Sequence, residues 1–243
     1  MGQENQKPAK RPGLGGSKLD QTSIILWALA AVVILAVVLY VVIKRNREAA
    51  KNAAKGRRGE AAVARKLGSI CRSKGFALLN NVYLPLYDTT TQIDHIVVGP
   101  FGIVVVETKA DQGEIYGSPK DENWVQIIGS ARNKHYNPLK QNKTHCDNLR
   151  HNLKKKNLYV VKIESLVVYA AKNVQLYTTG NAPVVTMKQL KKFFRQPLFS
   201  ENNKVNVDKV VDTINEIRVK DKRTISAHVA GVKQMSHGQH PKK

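Results

Sequence analysis

The chain has 243 residues, with 40 Lys and Arg against 18 Asp and Glu, and a formal net charge of +22. An excess of this size points to a polyanionic partner, either nucleic acid or an anionic membrane surface. Its two cysteines, Cys71 and Cys146, belong to no CxxC and to no Cys/His cluster at zinc spacing, which argues against a disulfide framework and a structural zinc.

Residues 1–22 are rich in Gly, Pro and Lys and read as a disordered tail. A transmembrane helix is expected over 23–43, where an unbroken apolar run of 20 residues extends from Ile24 to Ile43. As a helix that run spans about 30 Å, the thickness of a bilayer core. Lys44-Arg45-Asn46-Arg47 follows it, a stop-transfer pattern rather than a cleavage site. Trp27 and Tyr40 lie near the two ends, where interfacial aromatic residues belong. Seven Lys and Arg lie between Lys44 and Arg58, against four in the leading tail, and this bias places the C-terminal part in the cytoplasm of a single-pass protein. The stretch 44–58 reads as a basic juxtamembrane linker with helical character. It either touches anionic lipid headgroups or serves as a charged spacer.

A globular domain is expected over 59–220. It opens with a helix from Gly59 to Lys74, whose apolar stripe is Val63, Leu67, Ile70 and Cys71. Glu60 lies on that same stripe, where a carboxylate is either a first-turn residue favoured by the helix dipole or a site residue. Strands follow over 77–82, 92–98 and 103–109, then two short ones at 113–117 and 124–126. Asn137-Pro138 reads as the cap and first position of a helix reaching about Lys154. Gln141 and His145 lie towards one edge of it. A buried strand at 165–170, an edge strand at 182–185 and helices at 187–195 and 205–220 complete the domain. The tail 221–243 is basic and reads as disordered.

The strands 92–98 and 103–109 are joined by Gly99-Pro100-Phe101-Gly102 and read as a hairpin. In the simplest register Asp94 falls opposite Glu107, with Lys109 two residues further along the same face. Like charges placed opposite one another are destabilising, and a divalent cation between them removes that penalty. Mg²⁺, or Mn²⁺ in its place, suits such oxygen ligands. Asp94 and Glu107 are therefore candidate metal ligands, with Glu60 a third, direct or through water. Lys109 is placed to orient the attacking water and to stabilise charge in the transition state, and Gln141 to hydrogen-bond the phosphate or the water. His95 points to the opposite face and reads as a structural histidine. No histidine has a partner at metal spacing.

Several blocks of the chain resemble, in order, the nuclease-related domain family (NERD). They are Gly59-Glu60-Ala61, Leu79-Asn80-Asn81-Val82, Thr91-Gln92-Ile93-Asp94-His95, Val106-Glu107-Thr108-Lys109, Gly113-Glu114-Ile115-Tyr116-Gly117, Trp124, and Asn137-Pro138-Leu139-Lys140-Gln141-Asn142. The resemblance covers about residues 56–172. It implies an α/β fold of the restriction-endonuclease-like type (the PD-(D/E)xK superfamily), a mixed β-sheet flanked by helices with a Mg²⁺ site. It places Asp94, Glu107 and Lys109 in the catalytic core, Glu60 as the helix acid and Gln141 as the auxiliary polar residue. The expected activity is that of a membrane-anchored, Mg²⁺-dependent nuclease hydrolysing nucleic acid, with DNA favoured. The alternative is a non-catalytic module that binds nucleic acid or a protein partner at the membrane.

Overall fold

The computed structural model describes residues 21–87, 89–159 and 162–237. Residues 1–20 of the expected tail and the end of the chain at 238–243 lie outside them, while residues 21 and 22 of that tail begin a helix. The chain divides into two units, Met1–Asn52 and Ala53–Lys243. The described part of the first unit is helical throughout and belongs to α1 (Gln21–Lys74). This helix contains a stretch long and apolar enough to cross a membrane, and every large apolar side chain from 24 to 43 is exposed. The apolar run, the basic stretch and the first helix of the domain are thus one continuous helix. The stretch between them is rich in Ala, Lys and Arg and lacks proline, so no residue type stops it. The helix ends where Gly75 takes a left-handed φ of +67°, and the Phe76 N–H bonds back to the Cys71 carbonyl at 3.0 Å.

In the second unit a five-stranded sheet is ordered β1-β2-β3-β7-β9. Its strands are β1 (Ala77–Leu86), β2 (Thr89–Gly99), β3 (Gly102–Lys109), β7 (Ile163–Tyr169) and β9 (Val184–Thr186). The first three pair antiparallel, and β3, β7 and β9 pair parallel. One face packs on Val63, Leu67, Ile70 and Cys71 of α1 and on α3 (Leu190–Phe193). The other packs on α2 (Pro138–Lys155) and α4 (Val207–Ile217). β3 is buried along nearly its whole length, as its apolar run requires when both faces are covered.

A second sheet, ordered β6-β5-β4-β8, holds β4 (Gly113–Gly117), β5 (Asn123–Ile128), β6 (Ala131–Tyr136) and β8 (Val174–Thr178). It was not expected from sequence, where β4 and β5 stood as two short strands. β6 is exposed at every residue and carries no apolar alternation to announce it. Ile115, Trp124 and Leu139 join this sheet and α2 to Val167 and Tyr169 of the larger sheet. The tail from 221 also departs from expectation, because α5 (Lys222–His237) forms there. Asp221 caps it, accepting from the Thr224 N–H at 2.7 Å and its hydroxyl at 2.6 Å.

Two local devices position the later site. Gly102 has φ +134°, and a Cβ there would stand 2.5 Å from the Lys162 carbonyl oxygen, so only glycine fits beside β7. Asn137 caps α2 by accepting from the Leu139 N–H at 2.9 Å. Its amide also donates to the Ser118, Pro119 and Asp121 carbonyls, which ties the helix start to the preceding loop.

Candidate active site

The β2–β3 ladder pairs Gly99 with Gly102 and continues to His95 opposite Val106, the register expected from sequence. It stops there. Beyond it, the Thr108 N–H donates to Asp94 Oδ2 at 2.8 Å, so a side chain replaces the next rung. The parting of the strands coincides with a slip in side-chain alternation. Leu79 and Val82 of β1 pack in one core cluster although they are three residues apart, and so do their partners Ile96 and Ile93 of β2. Between them lies Asn81, with a left-handed φ of +52°. The simple alternation that groups Asp94 with Ile96 and Val98 therefore does not run on through Ile93, and Asp94 sits at the slip.

Glu107 is buried on the α2 side. Its Oε1 lies 2.9 Å from Lys109 Nζ, and its Oε2 lies 3.5 Å from His145 Nε2. Lys109 donates to Gln141 Oε1 at 2.7 Å. His145 Nδ1 lies 3.0 Å from the Thr91 hydroxyl. With that hydroxyl donating to Nδ1, the Nε2–H faces Glu107. α2 is held in place by buried Asn142, whose amide donates to the Val105 carbonyl at 2.9 Å, the Ser165 hydroxyl at 2.9 Å and the Leu166 carbonyl at 3.2 Å. Gln141 and His145 are thereby set over β3.

Burial pushes the Asp94 carboxyl well above the usual range, and the Glu107 and Glu60 charges push the same way. The Thr108 N–H and Lys109 oppose them. Glu60 is raised by burial and by Glu107, against Arg57. Burial would raise Glu107 too, but Lys109 and then His145 outweigh it and hold that carboxyl at about 2. Lys109 in turn is raised, because Glu107 overcomes the effect of burial. Tyr83 lies within reach of both Glu60 and Asp94 and is raised by burial and by their charges. His95 is buried on the other side of β2. Its Nδ1 donates to Asn80 Oδ1 at 2.7 Å, and its Nε2 accepts from the Thr108 hydroxyl at 3.1 Å. Burial lowers it to about 4, which fits the structural histidine expected there.

Glu60, Asp94, Glu107, Lys109 and Gln141 thus lie within hydrogen-bonding or electrostatic reach of one another in a connected set. Sequence reasoning gave no site role to Thr91, Tyr83 or His145. His145 was detectable, since it stands one helical turn after Gln141 on the same face of α2. Among the described residues, no group of three or more His, Cys, Asp and Glu side chains is gathered tightly enough to hold a metal ion by itself. The donor chemistry nevertheless suits Mg²⁺. That ion takes one or two carboxylates and keeps several waters, and Asp94 is a carboxylate whose charge is disfavoured by burial and then by Glu107 and Glu60.

Residues 55–170 match the family model of the nuclease-related domain. This chain carries a NERD domain. The matched segment starts in α1 five residues before Glu60 and ends at Ala170, one residue beyond β7. It contains all five residues singled out from sequence, as well as Tyr83, Thr91 and His145. An uncharacterised protein of Bacillus anthracis is 42% identical over 91 residues, which are 37% of this chain and 43% of that protein. The match thus spans less than half the length of that curated relative. No solved structure matches the chain significantly. β8, β9, α3, α4 and α5 all follow the matched NERD segment.

Proposed function

We propose that this chain is a membrane-anchored, Mg²⁺-dependent nuclease whose NERD domain lies in the cytoplasm and hydrolyses phosphodiester bonds, with DNA the favoured substrate. One observation carries the reading: Glu107 and Lys109 are joined at 2.9 Å beside Asp94, at the point where β2 and β3 part. A carboxylate pair with an ammonium in reach is the equipment for attack by water on a phosphodiester.

Asp94 and Glu107 would hold the ion, with Glu60 contributing through water. When bound, Mg²⁺ supplies a Lewis acid and lowers the pKa of bound water. Lys109 brings positive charge to the place where negative charge develops on the phosphoryl oxygens, and Gln141 fixes its direction through the 2.7 Å bond. His145 steers Glu107 from the other oxygen. The exposed apolar stretch of α1 supports the anchor, and the cations that follow it support the cytoplasmic orientation.

The test is cleavage of DNA and RNA by the full chain in detergent micelles with Mg²⁺ or Mn²⁺. Metal-dependent cleavage that falls by about a hundredfold or more in Lys109→Ala supports the reading. Absence of cleavage on every substrate, or full activity in that variant, defeats it.

A further inference from the structure

A cavity of about 390 Å³ opens at the C-terminal ends of the parallel strands β3 and β7. Its floor is made of small residues. Gly59 of α1 packs so closely that a Cβ there would stand 3.2 Å from the Ala110 Cβ and 3.3 Å from the Ala170 Cβ. Three cations line it: Lys55 and Arg58 from α1, and Lys172 from the turn after β7. Gln112 and Asn173 also line it, and among the described residues no carboxylate does.

Like many exposed Lys and Arg of this chain, the three cations of the cavity have no carboxylate partner among the described residues. Lys140, Lys143, Arg150, Lys156 and Lys162 each have a carboxylate within 4.0 Å. Among the described residues, Lys55, Arg58 and Lys172 form no such ion pair. Three cations around one concavity repel one another unless an anion joins them. The position is specific. Gly59 immediately precedes Glu60, and Ala110 immediately follows Lys109, so the cavity borders the candidate site on both its helix and its strand. Ligands of α/β sheets bind outside the carboxyl ends of parallel strands, and this volume lies in the range of small-molecule sites.

We propose that this cavity is a phosphate subsite, holding a backbone phosphate of the nucleic-acid substrate next to the bond that is cut. The inference rests on the nuclease reading and adds to it the groups that grip the substrate outside the reacting centre. It also gives Lys55 and Arg58, two of the seven cations after the apolar run, a role in the domain rather than at the lipid surface.

The experiment is fluorescence anisotropy of a labelled DNA oligonucleotide with the full chain in neutral phosphatidylcholine nanodiscs. EDTA prevents cleavage, and NaCl is varied. In the double variant Arg58→Ala/Lys172→Ala the affinity is expected to fall about tenfold, with the slope of log K against log[salt] reduced by about 0.9 for each phosphate no longer neutralised. Lys172→Glu, on an exposed turn, gives the same direction of change without touching α1 and serves if the double variant unfolds. DNA affinity and salt slope unchanged in both variants overturn the proposal. That is also the outcome if these cations serve anionic lipid. Cleavage by the wild type with unchanged binding in the variants sinks the subsite and leaves the hydrolase standing. Cavity-dependent binding with no cleavage by the wild type does the reverse.

Discussion

Asp94 Oδ2 accepts the Thr108 N–H at 2.8 Å across the opening between β2 and β3. One carboxylate oxygen thereby completes the backbone bonding of β3, while the charge of the group faces Glu107 and Glu60. The two roles can be separated. Asp94→Asn keeps an oxygen to accept the N–H and loses the charge. Activity is expected to fall roughly a thousandfold, the scale of several kcal/mol, while the fold persists. Asp94→Ala also orphans the Thr108 N–H, which costs about 1–3 kcal/mol. Thermal melts of the two variants check this, with the alanine form melting lower.

His145 bridges Thr91 to Glu107. His145→Ala is expected to lower turnover by about 10- to 100-fold, the usual effect of losing a group that orients a ligand. Thr91→Val is expected to give a smaller loss in the same direction. Turnover equal to wild type in His145→Ala would mean that Glu107 is held sufficiently by Lys109 alone.

The pH dependence of stability has a defined sign at His95. Its pKa falls from 6.5 to about 4 on folding, so the unfolded chain binds the extra proton between those values. Stability is complete above pH 6.5 and declines as pH drops to 4, by about 3 kcal/mol for this group. Glu107 adds a second loss below it. Its carboxyl is held at about 2 against 4.5, so its contribution is present above pH 4.5 and fades as pH drops toward 2. Denaturant melts from about pH 7 to about pH 4 measure the first window, and His95→Gln is expected to flatten it.

Metal affinity is expected to depend on pH in the same direction. A proton on Asp94 competes with a cation, and burial, Glu107 and Glu60 all favour that proton. Mg²⁺ affinity is therefore expected to rise with pH through the elevated titration of Asp94. Calorimetric titration of Mg²⁺ into the full chain at several pH values measures it. In Asp94→Asn the affinity drops and its pH dependence shrinks.

Much of the site was legible because short-range rules governed it. Gly99 and Gly102 set the hairpin register as far as His95 opposite Val106, which brings Asp94 and Glu107 to the end of the ladder. Asn137-Pro138 announced the start of α2, and the periodicity of Val63, Leu67 and Ile70 announced the buried face of α1. What escaped depended on partners distant in sequence. The contact between His145 and Glu107 joins residues on different elements, and nothing local to either requires it. β6 forms because β5 offers it a ladder from Asn123 opposite Tyr136 to Ile128 opposite Ala131, not because its own residues alternate. The slip at Asn81 was invisible because Asn tolerates left-handed backbone without demanding it.

That slip has a practical consequence. Asn81 belongs to β1, yet the turnover of facing that it marks is shared by β2, where Asp94 resides. The acidic hairpin is therefore not a portable cassette. Transplanted into a foreign scaffold without its neighbouring strand, it would revert to plain pleating and aim its chemistry elsewhere, so any chimera or minimised version must carry all three strands together.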